Sequence, residues 1–567
     1  MIFSSKTFLL RALKQIPTSL FPIKEHLIDC QKAETLPDYE NLTEYDCSFE
    51  KINVRAEVLK DEHWRSLGMH EQQFEAFQTA LTRNVTAIEG PPGTGKAFVA
   101  LSIIQRLLAN TSSRILIVSS GNYSLDKLLL LCSMFTHQIV RIGWQFDDPE
   151  VEKFALKKDF NDYRYNSIKS MAFCQCKLAV DKFNNAISQS KDKTTNFEQE
   201  LKEMCEANHR LDELQLFRMY YGSRKARIIG ITMTGAAKYR KLLELLRPPI
   251  VIINNAFHMS DSHIITALTE HTQQVIFFGD YGLQKRYKCT IGLGEDCLKA
   301  KLCGRLIDND LNNVRLRVQH RMHPDISNLL RETLYPDIVD GEKVRCYGSI
   351  RGIPKHLFWV SLDNLDAVRE ETFDILLKNY PDVNVHMLSK QNLHTMFFCV
   401  GLANFLTQQG YNYHEIVILT IVGDEQIATL SAMQHFPALK NVPVSTVDSF
   451  EGKECRIAIV MLLQCSENAV DLLLTEKRIS SFLTRSREGL FIVGQLDFFA
   501  EKSELCKDIR EKLQTKDAIG PGLPIKCEKH RSEMIATGLE DFCNFTHDGC
   551  PAAEGFRKAE KHPCLDI

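Results

Sequence analysis

At 567 residues the chain is too long to close around a single hydrophobic core, and two or more domains are expected. The composition, 44% hydrophobic and 25% charged, is that of an ordinary globular protein, and the net charge of −3 excludes a blanket basic surface, so nucleic acid can be bound only through a local groove. The apolar runs, such as 128–132, are too short to cross a bilayer, and residues 1–25 contain no signal-peptide core. The 18 cysteines are scattered through mainly apolar segments, which points to reduced thiols and a cytoplasmic or nuclear protein with no membrane partner.

Residues 1–60 open with apolar residues at helical spacing (Phe8, Leu9, Leu10, Leu13) and continue through a proline-punctuated stretch to Pro37. They read as a helical segment packed on the main body, with no visible chemistry. From residue 67 an amphipathic helix follows, built on Phe74, Phe77, Ala80 and Leu81, and it carries Gln73. A glutamine side chain can bond both edges of an adenine. A solvated helix glutamine is the plainer reading, but the phosphate loop that follows favours the first.

That loop comes next. A short apolar strand at 85–88 runs into Gly90, Pro91, Pro92, Gly93, Thr94, Gly95, Lys96 and Ala97, the pattern G-x-x-x-x-G-K-[ST] except at its last position. The glycines let backbone N–H groups turn toward phosphate oxygens, Lys96 adds a point charge, and the following helix offers its positive end. The hydroxyl that should bind Mg²⁺ is missing, because Ala97 stands there.

Apolar strands at 115–119, 228–231, 250–253 and 275–278 then alternate with helices, which implies a parallel sheet covered on both faces. Ligands of such sheets bind at the carboxyl ends of the strands. Ser120 to Asn122, Thr232 to Gly235, Asn254-Asn255 and Gly279-Asp280 are expected there with the loop. Between about 145 and 222 the sequence turns charged and helical, an inserted helical pair that serves as a clamp arm or is a solvated hairpin. A second alternating region from 311 to 505, with strands at 417–420, 457–463 and 490–493, predicts a second α/β domain facing the first across a cleft.

With both regions in view, the chain resembles the superfamily 1 helicases of the up-frameshift and senataxin group over residues 67–495. Gln73 stands at that family's adenine-reading position, and residues 90–96 are its first motif. Asn122 with Leu125-Asp126 resembles the strand-end motif that touches the nucleic-acid backbone. Gln319-His320-Arg321-Met322-His323-Pro324 matches Q-Y-R-M-H-P, Val447-Asp448-Ser449-Phe450-Glu451-Gly452-Lys453-Glu454 matches V-D-x-F-Q-G-x-E, and Leu483-Thr484-Arg485-Ser486-Arg487 matches L-T-R-A-R. The string from Thr232 through Thr234 and Gly235 to Tyr239 looks like the NFX-type zinc-finger-containing helicases, a group linked to RNA silencing. There Thr232, Thr234 and Gly235 join the nucleic-acid contacts.

The resemblance implies two RecA-like parallel-sheet domains in tandem, an α/β fold, at 61–310 with the helical insertion and at 311–505. Residues 506–567 would form a truncated tail like a degenerate zinc finger. The family's C-x3-C-x5-C-x-H-x-C spacing reads Cys550, Glu554, Glu560, His562 and Cys564, with Cys527, His530, Cys543 and His547 upstream. A closed zinc site wants four ligands, mostly sulfur and imidazole, so two glutamates in place of thiolates argue against bound zinc.

Hydrolysis in such a fold needs a loop hydroxyl and a strand-end aspartate on Mg²⁺, a glutamate that orients water, and arginines that neutralise the γ-phosphate. The family's Asp-Glu-Ala or Glu-Glu-Ala reads Asn254-Asn255-Ala256, and its γ-phosphate glutamine reads Leu283. Asparagine brings no charge to a metal and accepts no proton from water. Arg321 and Arg485 stand at the arginine-finger positions, and Glu454 at the ribose and γ-phosphate contact. The losses thus fall on metal binding and water activation. The expectation is a pseudo-helicase that binds single-stranded RNA and ATP, hydrolyses ATP poorly or not at all, and acts as a scaffold with RNA-silencing or RNA-decay proteins, in the cytoplasm, the nucleus or RNA granules. Two other readings stay open: an active ATP-dependent RNA helicase with Asp280 or Asp448 near Mg²⁺, and a protein-interaction module that has given up both ligands.

Overall fold

The computed structural model describes residues 2–14, 16, 27, 45–47, 50–52, 68–143, 145–156, 163–189, 198–281, 302–309, 313–362, 389–463, 475–527 and 532–545. The chain divides into two compact units: Met1–Glu89, Lys96–Gly279 and Ile291–Arg315 in the first, and Gly90–Gly95, Asp280–Thr290 and Leu316–Ile567 in the second.

In the first unit the helix α1 (Ile2–Lys14) and the helix α2 (Glu71–Thr82) precede strand β1 (Val85–Glu89). Then come α3 (Lys96–Asn110), β2 (Ile115–Ser119), α4 (Asn122–Cys132) and β3 (Ile139–Ile142). Two long helices follow, α5 (Tyr163–Gln189) and α6 (Glu198–Ser223), before β4 (Ile228–Thr232) and the short α7 (Met233–Lys238). Strands β5 (Ile250–Asn254), β6 (Gln274–Gly279) and β7 (Asn313–Arg315) complete a seven-stranded sheet in the order β3-β4-β2-β5-β6-β1-β7. Every pairing in it is parallel. The strands are runs of β-branched residues such as Ile115-Leu116-Ile117-Val118 and Ile250-Val251-Ile252-Ile253, buried on both faces because helices cover each side.

The second unit carries α8 (Pro324–Thr333), β8 (Leu357–Val360), α9 (Lys390–Gln408), β9 (Ile416–Thr420), β10 (Val444–Thr446) and β11 (Cys455–Leu462). It continues with α10 (Glu476–Leu483), β12 (Ser486–Gly494), α11 (Glu504–Thr515) and β13 (Ile519–Gly520). Its six-stranded sheet runs β10-β9-β11-β12-β8-β13, again parallel throughout. Side chains alternate between two cores, as period-two strands require: Ile416 and Ile418 pack with α9, while Val417 and Leu419 pack with α8, α10 and α11. Both sheets have the parallel RecA-like architecture.

Two expected boundaries shift. The first sheet takes in β7 through backbone pairing of Ala87 to Glu89 with Asn313 to Arg315, so it runs past residue 310. The second unit continues past 505, because β13 pairs with β8 and a hairpin of β14 (Leu523–Lys526) and β15 (Glu533–Ala536) leads into α12 (Leu539–Asn544). Leu523, Ile525, Leu539 and Phe542 are buried in the core under α9, so the described residues 519–527 and 532–545 pack into the domain where a zinc-finger-like tail was expected. The N-terminal segment is also not purely helical, since Tyr45–Cys47 pairs antiparallel with Glu50–Ile52.

Candidate functional site

The carboxyl ends of the first sheet line up by register. Thr232 lies beside Ser119, Ser119 beside Asn254, and Asn254 beside Phe278. Gly279 pairs with Glu89, the residue that opens the phosphate loop. The parallel sheet therefore puts Thr232, Asn254 and Glu89, the last residue before the loop, on one edge, with Asn254 two strands, about 10 Å, from the end of β1.

The positions expected to touch nucleic acid have local partners. Asn122 Oδ1 accepts from Arg141 Nη2 at 2.8 Å, and Arg141 Nε lies 3.0 Å from Asp126 Oδ1, a fully buried ion pair. Thr232 caps α7, its Oγ1 accepting from Gly235 N at 3.3 Å, while Thr234 is exposed beside it. Asn255 adopts left-handed backbone (φ +58°, ψ 35°), a conformation asparagine tolerates better than most side chains. Gln73 is buried, and its Oε1 accepts from His70 N at 3.4 Å at the start of α2, so it serves the helix end as well as its expected adenine role.

In the phosphate loop, Gly93 and Gly95 have φ of +87° and +85°, values that side chains rarely adopt and that turn successive N–H groups to one side. Thr94 Oγ1 donates to Pro91 O at 2.8 Å, and Gly93 O accepts from His320 N at 2.9 Å. Lys96 begins α3; Ala97, exposed on its first turn, has no donor or acceptor in its side chain.

The second unit gathers the arginines. Gln319 Oε1 accepts from the backbone N–H of both Arg321 and Met322 at 2.8 Å, and Gln319 Nε2 donates to Asp340 Oδ1 at 2.7 Å, fixing the turn. Arg321 Nη1 donates to Thr484 O at 3.2 Å, and its Nε lies 2.8 Å from Glu454 Oε2. Arg485 is 7% exposed. Its Nε and Nη2 donate to Ser481 O and Ser481 Oγ, both at 2.8 Å, and Nη1 to Lys453 O at 3.4 Å. None of these partners is a carboxylate. Burial, and then the charge of Arg321, push the Arg485 pKa down to about 10. Glu451 acts against that shift, but the oxygens that touch the guanidinium are neutral, and a phosphate would add an anion in direct contact.

Two protein-family profiles, each described as an AAA domain, match residues 68–282 and 298–497 in succession. The chain is 30% identical to the NFX1-type zinc finger-containing protein 1 of Mus musculus over 63% of this chain and 18% of that one. It is 23% identical to the Helicase required for RNAi-mediated heterochromatin assembly 1 of Schizosaccharomyces pombe, over 91% of this chain and 67% of that one. It is 22% identical to the Regulator of nonsense transcripts 1 of Caenorhabditis elegans over 81% and 41%. The chain belongs to the superfamily 1 helicase group. It spans less than a fifth of the mouse relative's length.

Membership in this helicase group implies ATP and Mg²⁺, and the residues fit them unequally. The left-handed glycines and buried Arg485 suit a polyphosphate. The metal position offers Ala97, without oxygen, and Asn254, without charge. The two carboxylates expected as substitutes are engaged: Tyr335 Oη donates to Asp280 Oδ2 at 2.5 Å, and Asp448 Oδ2 lies 2.5 Å from Arg478 Nη2. Among the described residues no group of three His, Cys, Asp or Glu side chains is placed to hold a metal ion. Leu283, His530, Cys550, His562 and Cys564 lie outside the described residues; Cys527 and Cys543 are buried in the apolar core beneath α9. No described helix is long and apolar enough to cross a membrane.

Sequence spacing did not point to Gln319 as the anchor of the Arg321 turn, to Ser481 as the holder of Arg485, or to Tyr335. Each acts from outside the matched loop or through an interior hydrogen bond that no periodicity reveals.

Proposed function

We propose that this superfamily 1 chain binds single-stranded RNA and ATP and hydrolyses ATP poorly or not at all, working as an RNA-bound scaffold. The observation that carries the reading is the sheet edge that ends in Glu89, the residue before the phosphate loop, and in Asn254: the loop's glycines and Lys96 remain, while the strand end that should supply carboxylates is neutral. Loss of a general base alone typically costs about 10²–10⁴ in rate. Buried Arg485, whose hydrogen bonds go to neutral oxygens alone, argues against a module that has abandoned nucleotide, because an interior cation is costly to keep.

The printed names of the relatives, one required for RNAi-mediated heterochromatin assembly and one a regulator of nonsense transcripts, support RNA silencing or surveillance as the setting, in the nucleus or cytoplasm. An active helicase is the second reading, favoured by Asp280 at the end of β6.

A titration of a fluorescent ATP analogue, with and without Mg²⁺, tests the proposal. Binding that is equal in both conditions and lost in Lys96→Ala is the expected result. Binding that needs Mg²⁺ would favour the active helicase, and no binding would favour the interaction module.

A further inference from the structure

Asp280 is the first residue after β6. Because Gly279 pairs with Glu89, Asp280 and Gly90 are the next residues along two adjacent strands about 5 Å apart. Asp280 thus follows the strand next to the one that leads into the phosphate loop, and its carboxylate is held from the side. Asp280 is buried, and the 2.5 Å contact from Tyr335 Oη falls in the short range of a hydroxyl donating to an ionised carboxylate.

Tyr335 is 2% exposed, and its phenolic oxygen also lies 3.0 Å from Ser480 Oγ. A phenol has one proton to give. With that proton on Asp280, Ser480 is the donor to Tyr335, and the chain runs Ser480 to Tyr335 to Asp280. Ser480 sits on α10 next to Ser481, the residue that grips Arg485 through both its carbonyl and its hydroxyl.

We propose that Tyr335 is a positioning residue that ties the Asp280 carboxylate to α10 and keeps it from serving as a metal ligand. Nucleotide binding thereby stays independent of divalent ions although a carboxylate stands at the strand edge. The inference rests on the nucleotide-binding reading above. Its physical basis is competition: a carboxylate that has already exchanged water for a buried charge-assisted hydrogen bond gains less from a cation than a free one does.

The test is the same analogue titration on the full chain, comparing wild type, Tyr335→Phe and Tyr335→Phe/Asp280→Asn with and without Mg²⁺. Tyr335→Phe keeps the ring and removes only the hydroxyl. Mg²⁺ is expected to tighten binding to Tyr335→Phe by about tenfold, the scale of one hydrogen bond to a charged group, and to have no effect on wild type or on the double variant. A merely structural phenol would lower the melting temperature and create no Mg²⁺ response. Should Tyr335→Phe melt below the assay temperature, Ser480→Ala, which strips the phenol of its own donor, is expected to give a smaller response of the same sign. A folded Tyr335→Phe or Ser480→Ala that binds nucleotide without any Mg²⁺ response overturns the inference. Wild type that binds no nucleotide at all overturns the reading beneath it as well, and the two failures are told apart by the wild-type arm.

Discussion

Arg321 Nε and Glu454 Oε2 stand 2.8 Å apart in the second unit, pairing a cation from the Q-H-R-M-H-P turn with a carboxylate from the motif that ends at Glu454. The guanidinium hydrogen is not aimed along that line, so this is a charge contact and not an aligned hydrogen bond. Family resemblance gives Glu454 a contact to ribose and γ-phosphate; the geometry gives it a second role, that of holding the charge of Arg321 when no phosphate is near.

Glu454→Gln therefore removes a competitor for Arg321. Both side chains are partly exposed, which limits the gain to about 1 kcal/mol or less. Triphosphate binding is expected to tighten up to about fivefold, read by titration at low salt. Weakened binding would mean that the ribose contact dominates.

Arg485→Met replaces an interior guanidinium by an apolar chain of comparable length. Since the hydrogen bonds of the cation go to Ser481 and Lys453 oxygens and to no carboxylate, its removal is expected to leave the melting temperature unchanged or higher. Nucleotide affinity should fall at least about tenfold with the loss of a charged phosphate partner. A large drop in melting temperature with affinity intact would make Arg485 a structural residue.

His323 stacks on His356 with ring centroids 3.6 Å apart and caps α8 by accepting from Asp325 N. Burial first, and then the neighbouring His356, lower its pKa, while Asp325, Asp340 and Glu488 pull the other way. A histidine whose folded pKa is lowered binds fewer protons folded than unfolded, so stability falls as pH drops through the ordinary value near about 6.5. Thermal melts between about pH 7 and about pH 5 should show that loss. His356→Phe, which keeps the stack and removes the second charge, should make the slope shallower, and an unchanged slope would place the titration elsewhere.

Phe542 meets Phe398 edge-on at 5.1 Å and Phe405 at 5.8 Å, fully buried beneath α9. Phe542→Ala is expected to cost about 3–5 kcal/mol in urea unfolding of the second unit, followed through buried Trp359. A cost near zero would return residues 519–545 to the status of an accessory tail.

These contrasts show what a sequence exposes and what it conceals. The central strands were legible because both faces of a parallel sheet are covered, leaving uninterrupted Ile and Val runs at 115–118 and 250–253. The phosphate loop was legible because its glycine spacing encodes backbone geometry directly. Strand β3 escaped because Arg141 interrupts its apolar run, and the buried Asp126, helped by Asn122, makes that arginine acceptable in the core. The end of the second domain was obscured by its cysteines: Cys527 and Cys543 invite a metal reading, and the sequence gives no sign that both lie buried in the domain core with Leu539 and Phe542. Tyr335 left no trace in any pattern, since a tyrosine beside a helix end looks like core until its hydroxyl finds Asp280.

The most direct test of the central claim is phosphate release from ATP by the full chain in Mg²⁺, with and without single-stranded RNA, beside Lys96→Ala. Release at the background of Lys96→Ala is expected under both conditions, because Ala97 and Asn254-Asn255 supply neither metal ligand nor base. RNA-stimulated release that disappears in Lys96→Ala would contradict it, and would mean that other carboxylates have taken over the work of those lost.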